Sequence, residues 1–257
     1  MLILSVDTST RMGSAALLRD SQVLAEISGY EETPYSTRLF RDVAVLHERA
    51  SFRMDQVDVF AVAAGPGSFT GLRVGLTAVK AWAEVHEKPI AAISGLEAIA
   101  AEFLMGESSS SGEVPNGGRS RVGDTPGLSG ARFIAPFLDG RRGQLFGAIY
   151  RRPSENSGGL ALVSEESILS PDEFLELVRG KCTESVQLVS PTPEIIPAAR
   201  ISEVLGDAPI VQVSAALATA IGQLGFERAK RGELVDSLRL DANYVRRSDA
   251  ERFWKDG

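Results

Sequence analysis

Cysteine and histidine are scarce in this chain, and their scarcity excludes several kinds of chemistry. Among 257 residues there are one cysteine, Cys182, and two histidines, His47 and His86. A single thiol permits no internal disulfide, which suits a reducing compartment. The two histidines are far apart and lie in no recognisable motif. We therefore expect no metal site built from histidine, and no Ser-His-Asp or Cys-His catalytic set.

Long apolar runs and clustered positive charge are lacking as well. No apolar stretch approaches membrane-spanning length, and Asp7 interrupts the first apolar run, so we expect no signal peptide, no membrane contact and a cytoplasmic location. The formal net charge of -7 argues against tight, autonomous binding of nucleic acid. The basic pairs Arg141-Arg142, Arg151-Arg152 and Arg246-Arg247 are interpreted as solvated surface pairs, and any action on nucleic acid is expected to pass through a partner.

Apolar periodicity predicts two successive units in which three strands are followed by alternating helices and strands. In the first half, strands are predicted at 2–6, 14–18, 23–28, 59–64 and 90–93, and helices at 36–50, 70–87 and 96–105. In the second half, strands are predicted at 132–138, 145–150, 160–163, 186–189 and 210–213, and helices at 171–178, 194–205 and 215–231. This alternation indicates an α/β fold.

Composition divides the chain into three parts. Residues 1–105 and 131–257 form the two similar halves, and residues 106–130, rich in Ser, Gly, Pro and Arg, are predicted to be a flexible insertion. Within the second half, Ser170 and Pro171 predict the start of a helix. Ser214 is predicted to cap the last helix, and Gly232 is predicted to end it.

The densest run of glycine joins a predicted strand to a predicted helix. It extends from Gly65 to Gly75 and reads GPGSFTGLRVG. Glycines at such a junction permit positive φ and close backbone approach, and the free amides of the first helical turn favour an anion. A simple tight turn is the alternative. No Gly-Lys-Ser/Thr follows, so this is not a Walker A loop, and Thr70 stands where a dinucleotide fingerprint requires its third glycine.

This eleven-residue run resembles the signature of the TsaB (YeaZ) family, a subunit of the bacterial machinery that makes threonylcarbamoyladenosine in tRNA. Three further segments agree with the resemblance. Residues 2–10 are similar to the family's first strand and phosphate-type loop, residues 137–146 to its mid-chain hairpin, and residues 243–251 to its C-terminal Tyr-x-Arg tail. Gly140 stands at the position where the family's hairpin has a different small residue. The resemblance implies a duplicated RNase-H-like module with the architecture of the actin-like ATPase and sugar-kinase superfamily.

The resemblance also implies a nucleotide-type site around Asp7, because the superfamily uses this Asp to position a hydrated magnesium ion and the following hydroxyl loop to face phosphates. A carboxylate beside free amides and hydroxyls suits that task, but an Asp and a Thr that merely satisfy turn amides are an equal alternative. Asp139 and Arg141 lie at the equivalent hairpin, with a structural ion pair as the alternative. The candidate nucleotide or phosphate-binding residues are Asp7, Thr8, Ser9, Gly65, Gly67, Ser68, Asp139 and Arg141.

One part of that nucleotide site departs from the superfamily. The adenosine-binding Gly-Gly of related ATPases is missing after Ser190, where Pro191 begins a different sequence. We therefore expect no tightly bound cofactor, and no catalytic or metal-binding residue is assigned. What the resemblance leaves open is ATP or ADP with magnesium at a subunit junction.

Two helices of the first half carry more apolar surface than a sheet can cover. Helix 36–50 has one apolar stripe with a second apolar row beside it, and helix 70–87 has two stripes. A second stripe needs another partner, either the neighbouring helix or another protein. The resemblance implies that these helices contact TsaD, the family's catalytic partner, or another copy of the chain. The candidate interface residues are Leu39, Phe40, Val43, Ala44, His47, Thr70, Arg73, Val74, Ala78 and Trp82.

The function implied by the resemblance is that of a non-catalytic subunit. It would heterodimerise with TsaD and support threonylcarbamoyl transfer to the tRNA adenosine next to the anticodon. TsaD would supply the metal and the acyl-transfer chemistry, the ATPase TsaE would dock on the heterodimer, and tRNA would be met indirectly. An autonomous actin-like ATPase or kinase that uses Asp7 and Asp139 is the alternative, and a self-associating homodimer is a third interpretation.

Overall fold

The computed structural model describes residues 1–29, 33–109, 130–153, 159–243 and 245. Most of the predicted insertion and most of the C-terminal tail, including the pair Arg246-Arg247, lie outside these described residues. The strands are β1 Leu2–Asp7, β2 Ser14–Arg19, β3 Gln22–Ser28, β4 Val59–Gly65, β5 Ile90–Ser94, β6 Phe133–Arg141, β7 Gln144–Arg151, β8 Ala161–Leu169, β9 Val186–Ser190 and β10 Ile210–Gln212. The helices are α1 Tyr35–Ala50, α2 Phe69–His86, α3 Gly95–Ser109, α4 Pro171–Lys181, α5 Ala198–Leu205 and α6 Ala218–Arg231.

The strands form two five-stranded sheets with the same topology. The first has the order β3-β2-β1-β4-β5, and the second, read from the opposite edge, has the order β8-β7-β6-β9-β10. In each sheet the first three strands of the unit pair antiparallel, and the fourth and fifth join in parallel. This repetition is the duplicated RNase-H-like module, and the expected α/β fold class is confirmed.

The chain divides into two compact units: Met1–Ala98 with Ala215–Gly257, and Ile99–Ser214. This division differs from the boundaries drawn on the sequence, which assigned the last helix to the second half. In the structure, α6 contacts β1, β2, β4 and β5 of the first sheet. The reason is close packing: a Cβ on Gly222 would lie 2.3 Å from a Leu18 methyl carbon, and one on Gly225 would lie 2.8 Å from the Cβ of Ala61.

The first sheet is covered on both faces, and β1 shows how. Alternate strand residues point to opposite faces. Leu2, Leu4 and Val6 lie in one core with residues of α1 and α2 such as Leu39 and Leu72. On the other face, the Ser5 hydroxyl donates to the carbonyl of Ala218 at the start of α6, at 2.7 Å. Asp7 has the same strand parity as Ser5, so its side chain belongs to the α6 face.

The second sheet packs against α4 and α5. Its core contains Phe137 of β6, Phe174 of α4 and Ile201 of α5, all buried. The rings of Phe137 and Phe174 lie with their centroids 5.6 Å apart. Gly147 of β7 leaves room for Phe174, because a Cβ there would lie 2.5 Å from that ring.

The ends of the helices show which predictions rest on neighbouring residues and which depend on residues far away in the chain. Ser170 caps α4 as predicted: its Oγ accepts from Glu173 N at 3.3 Å, and a Glu173 oxygen accepts from Ser170 N at 2.7 Å. The amide and the hydroxyl of Ser170 both donate to the Glu173 carboxylate, and these bonds lower its pKa. Gly232 ends α6 in the left-handed conformation, also as predicted. The prediction that Ser214 caps α6 was wrong, because the amide of Ala218 donates instead to Ser14 Oγ of β2 at 2.9 Å.

Two element boundaries were also predicted incorrectly. Helix α5 begins at Ala198 rather than near Glu194, because Pro197 occupies its N-cap and the residues before it form a separate 3₁₀ turn, Pro193–Ile195. Strand β8 continues to Leu169, well past the predicted end at residue 163. It is an edge strand that pairs only with β7, so polar residues such as Glu165 are tolerated in it.

Candidate functional site

Asp7 ends β1 as a buried carboxylate with one unsatisfied oxygen. The residue is 1% exposed. Its Oδ1 accepts hydrogen bonds from Ser9 N at 2.8 Å and from Ser9 Oγ at 2.6 Å. Its Oδ2 has no hydrogen-bond partner among the described residues. Burial raises the pKa of Asp7, and the bonds from Ser9 oppose that rise. A buried oxygen of this kind is one that a water molecule or a cation would satisfy.

The three hydroxyl residues after Asp7 already have partners within the first unit. Thr8 Oγ1 donates to the carbonyl of Gly71 at 2.7 Å, and Ser9 Oγ donates to Asp7. Thr10 Oγ1 donates to the carbonyl of Ala215 at 3.0 Å. Asp7, Thr8 and Ser9 lie together because they are consecutive, and each hydroxyl proton of this loop is already used by the chain itself.

The glycine-dense run packs directly on this loop. A Cβ on Gly71 would lie 1.9 Å from the carbonyl oxygen of Thr8, and a Cβ on Gly75 would lie 2.4 Å from Thr8 Oγ1. One on Gly67 would lie 2.7 Å from the carbonyl oxygen of Ser9. The same carbonyl accepts from Ser68 N at 2.8 Å, and Ser68 Oγ accepts from Gly71 N at the start of α2. The close backbone approach that these glycines permit is therefore to the loop after Asp7, a partner that the sequence analysis did not name.

Gly65 serves a different contact. It has a φ of 117°, and a Cβ there would lie 2.6 Å from the carbonyl oxygen of Asn243. The amide of Asn243 donates to the carbonyl of Ala64 at 2.7 Å. Gly65 therefore admits the start of the C-terminal tail beside β4, and no other residue type adopts this backbone conformation without strain.

A buried charged cluster at the start of α1 was missed by the sequence analysis. Arg38 is 3% exposed, and its Nε donates to Asp42 Oδ2 at 2.9 Å. Its terminal nitrogens donate to the carbonyls of Gly29 at 2.7 Å and Met12 at 2.6 Å. Tyr35 donates to the carbonyl of Thr10, and its burial raises the pKa of the phenol. The only local signal was the Arg-Asp spacing of four residues on one helix.

Asp139 and Arg141 lie in the second unit and form the ion pair that was their structural alternative. Asp139 Oδ1 accepts from Arg141 N at 2.8 Å, and Oδ2 lies 3.4 Å from a guanidinium nitrogen of Arg141. Both Arg141 and Arg142 have positive φ, at 64° and 56°, where the β6–β7 hairpin turns. Asp7 and Asp139 belong to different units.

The candidate interface residues divide into a buried and an exposed set. Leu39, Val43 and Ala78 lie in the core of the first unit. Val74 and Trp82 are half-buried. The exposed members are Phe40, Ala44, His47, Thr70 and Arg73. The buried set holds α1 and α2 on the sheet, so only the remainder is available to another molecule.

An aromatic pair joins the exposed face of α1 to α2. Phe40 is 58% exposed, and its ring meets Trp82 edge-on with centroids 5.9 Å apart. The ring of Phe60 in β4 lies beneath Trp82, with the two ring centroids 6.1 Å apart. Val85, in the second stripe of α2, is 76% exposed. The neighbouring helix therefore covers part of the second apolar stripe, and a patch around Phe40 and Val85 faces solvent. We call the exposed residues Phe40, Ala44, His47 and Val85, with the half-buried Trp82, the α1–α2 face.

The remaining chemistry-bearing residues give no further site. The described part of the chain contains no group of three or more His, Cys, Asp or Glu side chains arranged to hold a metal ion. Cys182 is half-buried, and its burial raises the pKa of the thiol to about 11. None of the helices in the described ranges has the length and apolarity needed to cross a membrane. A groove of about 570 Å³ lies at the Leu2 end of β1, away from Asp7, and no candidate site residue lines it.

The two sheets have the same strand order, and a carboxylate ends the first strand of the first sheet. This is a duplicated RNase-H-like module. A solved structure of YeaZ from Pseudomonas aeruginosa has the same fold, with a TM-score of 0.70 and 21% identity, covering 95% of this chain and 99% of the YeaZ chain.

Sequence comparison finds relatives that are named TsaB. The chain is 29% identical over 256 residues to the tRNA threonylcarbamoyladenosine biosynthesis protein TsaB of Bacillus subtilis (strain 168), covering 99% of this chain and 98% of that protein. It is 26% identical over 174 residues to TsaB of Escherichia coli (strain K12), covering 67% of this chain and 64% of that protein. The family model for TsaD, tRNA N6-adenosine threonylcarbamoyltransferase, matches residues 32–117. The resemblance to the TsaB (YeaZ) family is confirmed over nearly the whole chain.

Proposed function

We propose that this protein is the non-catalytic subunit of the complex that makes N6-threonylcarbamoyladenosine in tRNA. It heterodimerises with TsaD and supports transfer of the threonylcarbamoyl group to the adenosine next to the anticodon. The ATPase TsaE docks on the heterodimer, tRNA is met through the complex, and the work takes place in the cytoplasm. The end-to-end similarity to TsaB of Bacillus subtilis supports this proposal.

The observation that carries the proposal is the α1–α2 face. Phe40 is an aromatic side chain left 58% exposed beside a half-buried Trp82, and Val85 extends the apolar surface along α2. Aromatic side chains with rigid neighbours are the usual anchors of protein interfaces. The Phe40–Trp82 contact fixes the anchor before a partner arrives, which lowers the entropy lost on binding. A homodimer would use the same face, so the two assemblies compete.

A supporting role, rather than an autonomous reaction, agrees with the loop after Asp7. The hydroxyls of Thr8, Ser9 and Thr10 donate within the chain, so binding phosphates through them would require breaking buried hydrogen bonds. One group does fit a cofactor: Asp7 Oδ2, buried and without a partner among the described residues, would face the magnesium of a bound nucleotide. We propose that ATP or ADP, if held, is held weakly and at the junction with TsaD.

Reconstitution tests the proposed function. Purified TsaD, TsaE and the enzyme that supplies threonylcarbamoyl-adenylate are incubated with unmodified tRNA, with and without this protein. We expect modified adenosine only in the complete mixture, and none from this protein alone. Modification at full rate without it would refute the supporting role. Tight ATP binding and turnover by the isolated protein, measured by calorimetry with magnesium, would favour the autonomous ATPase or kinase. The observation in favour of that alternative is Asp7 Oδ2, which has no hydrogen-bond partner among the described residues.

A further inference from the structure

Helix α1 begins without a capping side chain. Pro34 occupies its N-cap, and its side chain provides no hydrogen-bonding group, although its carbonyl accepts from the amides of Thr37 and Arg38. Helix starts are usually fixed by a Ser, Thr, Asp or Asn at this position, which satisfies one of the free amides. The start of α1 must therefore be held by other contacts, and two residues of its first turn supply them.

Arg38 fastens α1 to two other segments of the first unit. Its guanidinium donates to the carbonyl of Met12, in the β1–β2 loop, and to the carbonyl of Gly29, just after β3, at 2.6 and 2.7 Å. Asp42, one turn further along α1, accepts at 2.9 Å and balances the charge. Only a planar, multiply donating group can satisfy three acceptors in this arrangement.

Tyr35 interlocks with the same loop. Its hydroxyl donates to the carbonyl of Thr10, and Arg38 lies over its ring at 5.0 Å. Gly13 admits the pair, because a Cβ there would lie 2.3 Å from a Tyr35 ring carbon and 2.7 Å from a terminal nitrogen of Arg38. The first turn of α1 therefore packs against residues 10–13 of this loop.

We propose that Arg38 and Tyr35 are positioning residues for the α1–α2 face. They fix the rotation of α1 about its axis and its position along that axis. As a result, Phe40 meets Trp82 of α2 edge-on and the exposed apolar surface keeps one shape. Since both residues act through carbonyls of the loop that follows Asp7, that loop and the partner surface behave as one connected element. The link to partner binding rests on the proposed function, while the effect on α1 does not.

Trp82 provides a direct reporter of α1. The chain has two tryptophans, so Trp254→Phe leaves Trp82 as the only one. In that background, Arg38→Met removes the guanidinium but keeps an unbranched stem. We expect the emission of Trp82 to shift to longer wavelength as Phe40 moves away, and the affinity for TsaD to fall by about tenfold or more. Arg49→Met is the matched control, because Arg49 lies on the same helix, is exposed and makes one 3.1 Å bond to the Glu26 carbonyl.

Both readouts are taken on protein whose far-UV circular dichroism matches the native chain. If Arg38→Met does not fold, Tyr35→Phe replaces it, since this change removes only the hydroxyl that binds the Thr10 carbonyl, and a smaller shift in the same direction is expected. Arg38→Lys should recover part of the affinity. An unchanged Trp82 emission, or an unchanged affinity beside a shifted emission, would overturn the proposal. Failure of the native protein to bind TsaD would refute the proposed function and leave the emission test standing.

Discussion

At the scale of single residues, Asp7 combines burial with incomplete hydrogen bonding. Ser9 satisfies one carboxylate oxygen, and the other has no partner in the described part of the chain. An ionised carboxylate in such surroundings costs free energy of folding, because the lost hydration is only partly replaced. Its raised pKa expresses this cost, since the neutral form is favoured in the native state.

The charge of Asp7 should therefore reduce stability at neutral pH. A carboxyl whose pKa is raised by folding stabilises the native state fully below its unfolded value, near 3.8, and loses that contribution as pH rises through the folded value. We expect Asp7→Asn, which cannot ionise, to be more stable than the native chain at pH 7.5, and the difference to shrink toward pH 4. Thermal unfolding from pH 4 to 8 in the presence of EDTA measures it.

Asp55→Asn is the control for this comparison. Arg53 lowers the pKa of the exposed Asp55 through a hydrogen bond, so the effect of the substitution on stability has the opposite sign. The native chain should therefore be more stable than Asp55→Asn at pH 7.5. If Asp7→Asn were instead less stable than the native chain at pH 7.5, the carboxylate would have to be stabilised by contacts that this account lacks.

At the scale of elements, the contact between the β1–β2 loop and α2 organises the site. The loop presents the carbonyl of Thr8 to Gly71 and its hydroxyl to the Gly71 carbonyl, and a methyl group at Gly71 would lie 1.9 Å from the Thr8 oxygen. Backbone cannot yield to such a contact as a flexible side chain can. The glycines of the run between Gly65 and Gly75 are therefore packing requirements as well as a family signature.

Gly71→Ala and Gly180→Ala should change stability in opposite directions. We expect Gly71→Ala to lower the free energy of unfolding by about 3 kcal/mol, because the loop and α2 must separate. Gly180 lies in α4 with nothing within 4 Å of an added Cβ, so Gly180→Ala should raise it by up to about 1 kcal/mol through helix propensity. Urea titration of both variants measures these two changes in the free energy of unfolding. Equal effects from the two substitutions would contradict the packing argument.

What the sequence predicted about these elements depended on how local each signal was. The start of α4 was predicted correctly because Ser170 and Pro171 are adjacent in the sequence. The start of α6 was missed because its first amide is capped by Ser14, about 200 residues earlier in the chain. Short-range patterns contain no information on such partners.

The candidate site followed the same rule. Asp7, Thr8 and Ser9 could be proposed as candidates because they are adjacent in a recognisable segment. Arg38 and Tyr35 were missed because they bind backbone carbonyls, which any sequence provides. The apolar stripes of α1 and α2 were predicted, but which members are exposed depends on how the two helices pack. Ala78 proved to be buried and Phe40 exposed.

At the scale of the whole molecule, the exposed apolar surface and the candidate nucleotide site are built from different side chains. The α1–α2 face presents exposed apolar side chains on a rigid support, whereas the loop after Asp7 uses its hydroxyls internally. Such a chain is suited to holding a partner. In the function proposed above, that partner is TsaD, which supplies the reaction.

Calorimetric titration of TsaD with the native protein, Phe40→Asp and Leu162→Asp tests this claim most directly. Leu162 of β8 is 53% exposed and so matches Phe40 in exposure while lying in the other unit. We predict that Phe40→Asp weakens binding by about 100-fold or more, as loss of an aromatic anchor does. Leu162→Asp should stay within about twofold of the native protein. Binding of folded Phe40→Asp at native affinity would contradict the account.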